Sequence, residues 1–190
     1  MAETPPARAL PASALIVATD GFEQSELFKP QEALLAAGAE VTLASVTIEP
    51  IQGMEHDEKT RTITPHIILE DVHVDDYDAL ILPGGLINPD TLRMNPEAVE
   101  IVRAFRRAGK IIAAICHGPW MLVEADVIRG VTVTGWPSIR TDLRNAGAHV
   151  VDSEVVVDDN IITSRKPEDI PAFNDAILTA LAALPERAAA

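Results

Sequence analysis

The chain has 190 residues, which is enough for one domain with a substantial core but leaves little room for a second. Apolar residues make up 47% and charged residues 23%, as in an ordinary globular protein rather than a disordered or fibrous one. The formal net charge of −14 would repel a phosphate backbone, so we expect no nucleic-acid partner.

The first part of the chain alternates apolar runs with stretches of helical period. The runs are continuous and closed by turn residues, which is typical of strands buried on both faces. Strands are therefore predicted at residues 14–18, 40–45, 79–83 and 111–115. Helices are predicted at residues 23–38, where Pro30 should kink or split the helix, and at 95–109, where Asn95 is the predicted N-cap. This alternation predicts βαβ units, with a parallel sheet between two layers of helices.

The second part continues the pattern, with an antiparallel addition. A helix is predicted at 121–128, a strand at 131–136 and another helix at 138–147. Residues 154–164 form two apolar runs around an Asp-Asp-Asn turn, which predicts a hairpin at the sheet edge. The last helix should dock on the sheet through five apolar residues spaced three or four apart: Ile170, Phe173, Ile177, Leu181 and Leu184. Residues 46–78 predict only strand fragments and a loop.

The domain is predicted to cover residues 14–185, with flexible tails at 1–13 and 186–190. No apolar run approaches the roughly 18 residues that suggest a membrane span, and the first residues lack the basic start of a secretory signal. A single cysteine cannot form an internal disulfide, so nothing indicates an oxidising compartment. We therefore expect a cytoplasmic protein with no membrane partner.

That cysteine, Cys116, follows the predicted strand at 111–115 and precedes His117. A strand-to-helix turn would place its thiol at the carboxyl end of the sheet, where ligand sites of open α/β folds gather. The helix start should lower the pKa of the thiol, and the His117 N–H can hold a developing oxyanion. The alternative is that Cys116 is a buried small hydrophobe, which is the commonest role of a free cysteine.

Four motifs stand out along the chain: DGFEQSEL at 20–27, ILPGG at 81–85, AICHGPW at 114–120 and SRKPEDIPAF at 164–173. Together they resemble the ThiJ/PfpI family, nearest to its PfpI-type intracellular protease and deglycase branch in the class I glutamine amidotransferase-like superfamily. The resemblance extends from about residue 14 to 184. It implies a flavodoxin-like three-layer α/β/α sandwich with a mainly parallel central sheet.

The resemblance also implies roles for individual residues. Cys116 matches the family's nucleophile, and Glu23 matches the acid that hydrogen-bonds the thiolate and often holds a proton. His117 resembles the histidine that PfpI-type members use as proton acceptor. Asp90 matches the acid that orients this histidine, often from a neighbouring subunit, although several members have Glu there. The Gly85 N–H would complete the oxyanion hole with that of His117.

Each of these residues also has a structural alternative. Glu23 is a reasonable first-turn carboxylate at a helix N-terminus, and Asp90 is a reasonable helix N-cap. Gly85 suits an ordinary turn after a strand. Trp120 and Trp136 are predicted to wall the pocket, although core packing explains Trp136 equally well.

No cofactor is expected. The five histidines are scattered without HxH or HExxH spacing, and neither GxGxxG nor GxxxxGK[ST] occurs. One of the histidines, His56, could border the site, although an exposed loop histidine usually has no role.

The leading hypothesis is a cofactor-free, cysteine-dependent stress-response hydrolase. As the resemblance implies, its substrates would be small aldehydes such as methylglyoxal, or their adducts on amines and thiols. One alternative is a PfpI-type intracellular cysteine peptidase, and another is a non-catalytic redox sensor or holdase. A glutamine amidotransferase is a weaker alternative, because the His-x-Glu pair is missing near the C-terminus. The family usually forms homodimers or larger homo-oligomers, so assembly is expected here too.

Overall fold

The structure is a computed structural model that describes residues 12–185. Most of the two predicted tails, residues 1–11 and 186–190, therefore lies outside the described residues. Residues 12 and 13, which the prediction assigned to the N-terminal tail, belong to the folded domain. Ala12 is buried and its carbonyl accepts a 2.9 Å hydrogen bond from the Glu40 N–H, and the first strand begins at Ser13.

The described residues form twelve strands, six α-helices and four short 3-10 helices. The strands are β1 (Ser13–Val17), β2 (Phe22–Glu23), β3 (Glu40–Ser45), β4 (Ile51–Glu55), β5 (Glu58–Ile63), β6 (Ile67–Ile68), β7 (Ala79–Leu82), β8 (Ile111–Ile115), β9 (Thr132–Val133), β10 (His149–Val150), β11 (Val155–Asp158) and β12 (Ile161–Ser164). The α-helices are α1 (Gln24–Ala36), α2 (Ile87–Leu92), α3 (Pro96–Arg107), α4 (Trp120–Glu124), α5 (Arg140–Asn145) and α6 (Ile170–Ala182). The 3-10 helices are Leu69–Asp71, Val74–Asp76, Pro137–Ile139 and Pro167–Asp169.

A seven-stranded sheet in the order β11-β12-β8-β7-β1-β3-β6 forms the middle layer. All neighbouring strands are parallel except β11, which runs antiparallel to β12. These two strands form the predicted edge hairpin. Apolar side chains of α3, α4 and α5 pack on one face, and those of α1 and α6 pack on the other. The predicted three-layer α/β/α sandwich with a mainly parallel sheet is confirmed.

The helix α1 is continuous from Gln24 to Ala36, so Pro30 does not split it, and the predicted kink stays a prediction. Proline removes one backbone hydrogen bond from a helix interior. Leu27, Phe28 and Leu34 are buried on the side of α1 that faces the sheet, and this packing stabilises the helix across the missing bond.

Three other predicted elements are shorter than expected. The helix predicted at 138–147 is Arg140–Asn145, preceded by the 3-10 helix Pro137–Ile139. The helix predicted at 121–128 ends at Glu124, because Asp126 takes a left-handed backbone with φ of 54°. The strand predicted at 131–136 is only Thr132–Val133, and it pairs with β10 outside the main sheet.

The final helix docks as predicted, with one exception. Its Ile170, Phe173, Ile177 and Leu181 are buried against the sheet. Leu184 is 40% exposed because α6 ends at Ala182, so its predicted packing was wrong.

Residues 46–78, predicted only as strand fragments and a loop, contain the hairpin β4–β5. The strand β4 pairs in parallel with β2, and together these strands make a second, three-stranded sheet. The pairing of Glu23 with Met54 brings the hairpin turn at His56 and Asp57 close to the start of α1. Between residues 12 and 185, no helix is both long enough and apolar enough to cross a bilayer.

Asn95 caps α3 as predicted, with its Oδ1 accepting a 3.0 Å hydrogen bond from the Ala98 N–H. We expect Asn95→Ala to lower the free energy of unfolding by about 1 kcal/mol, because the substitution leaves that amide without its partner. Urea denaturation followed by circular dichroism measures this difference. Asn95→Ser keeps a capping oxygen and should restore most of the loss; equal losses in the two variants would contradict the capping role.

Candidate active site

Cys116 lies on a tight turn between β8 and α4, as predicted. Its φ is +61°, in the left-handed region that residues with a side chain seldom adopt. Its N–H donates to the Ser164 carbonyl at 3.1 Å, and its carbonyl accepts from the Trp136 N–H at 2.9 Å. Gly118 permits the turn, since a Cβ there would lie 2.4 Å from the Leu82 carbonyl oxygen. The backbone around Cys116 therefore holds a strained conformation in place.

The thiol opens onto a cavity of about 130 Å³. Cys116 itself is only 5% exposed, so the cavity is its route to solvent and substrate. Five predicted site residues line the cavity: Glu23, Gly85, Cys116, His117 and Trp136. His56, which the sequence suggested could border the site, also lines it, together with Glu26, Leu86 and Pro167.

The acid that interacts with the Cys116 side chain is Glu26 rather than the predicted Glu23. Glu26 is fully buried, and its Oε2 accepts a 2.9 Å hydrogen bond from the Gly84 N–H. A Cβ on Gly84 would lie 2.5 Å from this oxygen, so glycine is needed for the carboxyl to approach. Oε1 has no nitrogen or oxygen partner among the described residues. Burial, and then the charge of Glu23, raise the pKa of Glu26 to about 8, so its carboxyl is mostly protonated at pH 7.

The misassignment has a local structural cause. The segment FEQSE offers two glutamates three residues apart, and the motif alone does not distinguish them. Glu23 ends β2, whereas Glu26 lies in the first turn of α1. The Glu23 Oε2 accepts a hydrogen bond from the His56 N–H at 3.0 Å, and its Oε1 accepts one from the Ser25 hydroxyl at 3.4 Å. Glu23 therefore holds the hairpin turn against the cavity wall by a hydrogen bond and does not contact the sulfur.

Two backbone amides are directed at the sulfur. The N–H groups of Gly85 and His117, the two predicted for the oxyanion hole, both hydrogen-bond the Cys116 thiol and favour its ionised form. Gly85 has φ of +80°, and a Cβ there would lie 2.2 Å from the Gly21 carbonyl oxygen. Glycine thus allows the chain to present this amide to the site.

The net shift of the Cys116 pKa is upward, so the predicted lowering by a helix start was wrong. Burial of the sulfur is the largest cause, and the charge of an ionised Glu26 adds to it. The helix α4 begins only at Trp120 and has five residues, so little of a helix dipole reaches the thiol. Below a pH of about 8 Glu26 is mostly neutral, its repulsion disappears, and its proton can be shared with the sulfur.

The His117 imidazole lies beside the thiol, with Nδ1 3.3 Å from Sγ. Its Nε2 lies 3.3 Å from the Ser138 hydroxyl, a contact that the sequence did not predict. The indoles of Trp120 and Trp136 pack against the ring at centroid distances of 5.3 and 5.6 Å. Only Trp136 lines the cavity, while Trp120 hydrogen-bonds Asp142 through its indole N–H. Burial lowers the pKa of His117, which favours the neutral imidazole.

Asp90 does not join this site within the chain. It is exposed on α2 and lines a separate open groove with Arg93 and Glu124. The N-cap of α2 is Leu86, so the alternative prediction of Asp90 as a cap was wrong. A contribution of Asp90 to the site of a second subunit stays a prediction. In the described part of the chain, no group of three or more His, Cys, Asp or Glu side chains is arranged to hold a metal ion.

Comparison with known proteins identifies the family. A model of the DJ-1/PfpI family matches residues 12–180, which include the cavity. The chain belongs to the DJ-1/PfpI family. This confirms the resemblance carried by the four motifs.

Its relatives in this family include proteins named for stress, protease and deglycase functions. General stress protein 18 of Bacillus subtilis is 43% identical over 84% of this chain and 91% of its own. Another B. subtilis protein, provisionally named a cysteine protease, is 41% identical over 84% and 92%. Protein/nucleic acid deglycase 2 of Escherichia coli is 42% identical over 88% and 96%. The crystal structure of Drosophila melanogaster DJ-1beta superposes with a TM-score of 0.83 at 32% identity, over 92% of each chain.

The raised pKa of Glu26 predicts a pH-dependent stability. The folded chain holds this proton up to a pKa of about 8, whereas the ordinary value is 4.5, so folding takes up a proton between these limits. Stability therefore falls as the pH rises from about 5 to 8, by a few kcal/mol in total. Glu26→Gln has no proton to lose and should flatten this part of the curve.

Urea denaturation at a series of pH values measures the effect. Glu97→Gln on α3 removes an exposed carboxylate and should leave the slope as in the unaltered protein. Parallel curves for the unaltered protein and Glu26→Gln would contradict the assignment of the buried proton.

Proposed function

We propose that the chain is a cofactor-free, cysteine-dependent enzyme that converts reactive carbonyl compounds, or their adducts on amines and thiols, to hydroxy acids. The observation that carries this proposal is the arrangement around Cys116: a thiol in a small cavity, two backbone amides directed at it, and a carboxyl that holds a proton beside it. Names of the relatives support a hydrolase-type and stress-related function for the family.

The first step is addition of the Cys116 sulfur to an aldehyde carbon, while the thiol proton passes to Nδ1 of the neutral His117 imidazole. The sulfur–carbon bond forms, the carbonyl π electrons move to oxygen, and the resulting oxyanion takes a proton to give a hemithioacetal. Hydrogen bonds from the Gly85 and His117 N–H groups stabilise the developing negative charge. Glu26, which holds a proton at neutral pH, supplies it to the oxyanion and regains one from the His117 imidazolium.

The second step moves hydrogen within the substrate. For methylglyoxal, a base removes the proton from the hemithioacetal carbon, and an enediol forms. Reprotonation at the neighbouring carbon gives a lactoyl thioester. His117 suits the role of base because burial keeps the imidazole neutral and its Nδ1 faces the sulfur. Water then cleaves the thioester, which releases lactate and restores the thiol.

Adducts on amines and thiols enter the same sequence. When the carbon attacked by Cys116 carries an amine or a thiol, that group takes a proton and leaves. The E. coli relative is named for action on protein and nucleic acid. For this chain we propose small adducts and those on proteins, because the net charge of −14 disfavours approach of a nucleic acid.

Lactate formation from methylglyoxal tests the proposal. Cys116→Ser should lower kcat/KM by at least about 1000-fold, because serine is a far weaker nucleophile at neutral pH. Glu26→Gln should lower it by about 100-fold, because the amide cannot transfer the proton. Glu97→Gln is the matched control and should retain full activity. Equal rates for the unaltered protein and Cys116→Ser would refute the proposal.

A PfpI-type peptidase is the second candidate, favoured by the contact between Cys116 and His117. Amide cleavage needs an acid that protonates the leaving amine, and His117 is placed to do this. In this case Cys116→Ser and His117→Ala should each lower the rate at which a fluorogenic peptide is cleaved by at least about 100-fold. Cleavage that persists in both variants would indicate a contaminating protease and reject this candidate.

A further inference from the structure

The cavity beside Cys116 has acidic and imidazole groups but no basic side chain of the lysine or arginine type. Among the described residues that line it, the titratable ones other than the cysteine are Glu23, Glu26, His56 and His117. Of these, His117 is neutral because burial disfavours the imidazolium. Apart from the His56 imidazole at its exposed rim, the cavity therefore offers no basic group that could pair with a negatively charged substrate.

The two glutamates differ in charge. Glu26 keeps its proton at neutral pH, partly because of the negative charge of Glu23. Glu23 is 8% exposed and accepts hydrogen bonds from the Ser25 hydroxyl and the His56 N–H, neither of which carries a charge. In the described part of the chain Glu23 forms no ion pair, so its charge is uncompensated within the cavity wall.

The size of the cavity places a substrate close to this charge. A volume of about 130 Å³ is well below the roughly 300–1,000 Å³ of typical small-molecule pockets. A carbonyl group and its nearest substituents fill it, and any larger part of an adduct must extend outwards. His56 is exposed on the rim and is hydrogen-bonded through its backbone to Glu23. Substituents of the reacting carbonyl therefore come close to the Glu23 carboxylate.

We propose that Glu23 is a specificity-determining residue that makes this site select uncharged or cationic carbonyl compounds over carboxylates and phosphates. A carboxylate that entered would lose its hydration and would be repelled by the Glu23 carboxylate, with no lysine or arginine to offset either cost. An uncharged aldehyde has neither cost, and a protonated amine of an adduct is attracted to Glu23. Selection thus operates through repulsion of the wrong substrate. The reaction rests on the proposed function; the charge selection is added here.

Alkylation of Cys116 by iodoacetamide and by iodoacetate tests the selection. These reagents are nearly equal in size and differ by one negative charge. In each reaction the sulfur–carbon bond forms, iodide leaves, and the thiol proton goes to solvent. Cys116 is the only cysteine in the chain, so intact mass reports its modification. Both reagents meet the same sulfur, so changes in thiol ionisation cancel in the ratio of the two rates.

In the unaltered protein, the ratio of the iodoacetamide rate to the iodoacetate rate should exceed that of an uncharged reference thiol, N-acetylcysteine methyl ester. Glu23→Gln keeps an oxygen that can accept the His56 N–H but removes the charge, so the ratio should fall at least about tenfold. The measurement is made at about pH 6, below the Glu26 pKa of about 8, so that Glu26 stays protonated.

Two further variants serve as controls. Glu23→Asp keeps the charge and should keep a high ratio even if it reacts more slowly. Glu97→Gln removes an equal charge from the exposed side of α3 and should leave the ratio unchanged. A ratio equal to that of the reference thiol, or one that Glu23→Gln leaves unchanged, would overturn the proposal. Alkylation needs no turnover, so absence of lactate would count against the proposed function alone.

Discussion

The contact between the Cys116 thiol and the buried Glu26 carboxyl is the interaction on which the proposed chemistry depends. A thiolate and a carboxylate placed side by side repel each other, so at least one of the two groups keeps its proton. Burial of Glu26 and the nearby charge of Glu23 keep the carboxyl protonated up to a pKa of about 8, and burial also raises the pKa of the thiol. The pair therefore combines a sulfur that must lose its proton to react with a carboxyl that can donate one at neutral pH.

The fold brings this pair together from the two strands that flank β7 in the middle of the sheet. Cys116 follows β8, whereas Glu26 lies in α1, which follows β1 and β2. The strand β7 separates β1 from β8, and the Gly-Gly turn after β7 fills the gap between them. At that turn Gly84 donates a hydrogen bond to Glu26 and Gly85 donates one to the sulfur. A side chain at Gly84 would collide with Glu26 and Cys116, and one at Gly85 would collide with the Gly21 carbonyl oxygen.

The second glutamate gives the site its electrostatic character. Glu23 belongs to the small sheet formed with the hairpin β4–β5, so this addition to the sandwich contributes directly to the cavity wall. Its charge has two effects. It raises the pKa of Glu26, and it disfavours the binding of anions in the cavity. One carboxylate thus links the protonation of the catalytic pair to the proposed choice of substrate.

The sequence alone determined the strands β1, β3, β7 and β8, the edge hairpin and the turn that carries Cys116, because buried strands and glycine turns leave local patterns. It did not determine which glutamate contacts the sulfur, because Glu23 and Glu26 belong to the same motif. Their side chains have different partners only because α1 begins at Gln24, between the two residues. Ser138 was missed because it is 22 residues from Cys116 and no spacing rule joins them. The upward shift of the thiol pKa also required the structure, since local sequence shows the nearby helix but not the depth of burial, which depends on how every layer packs.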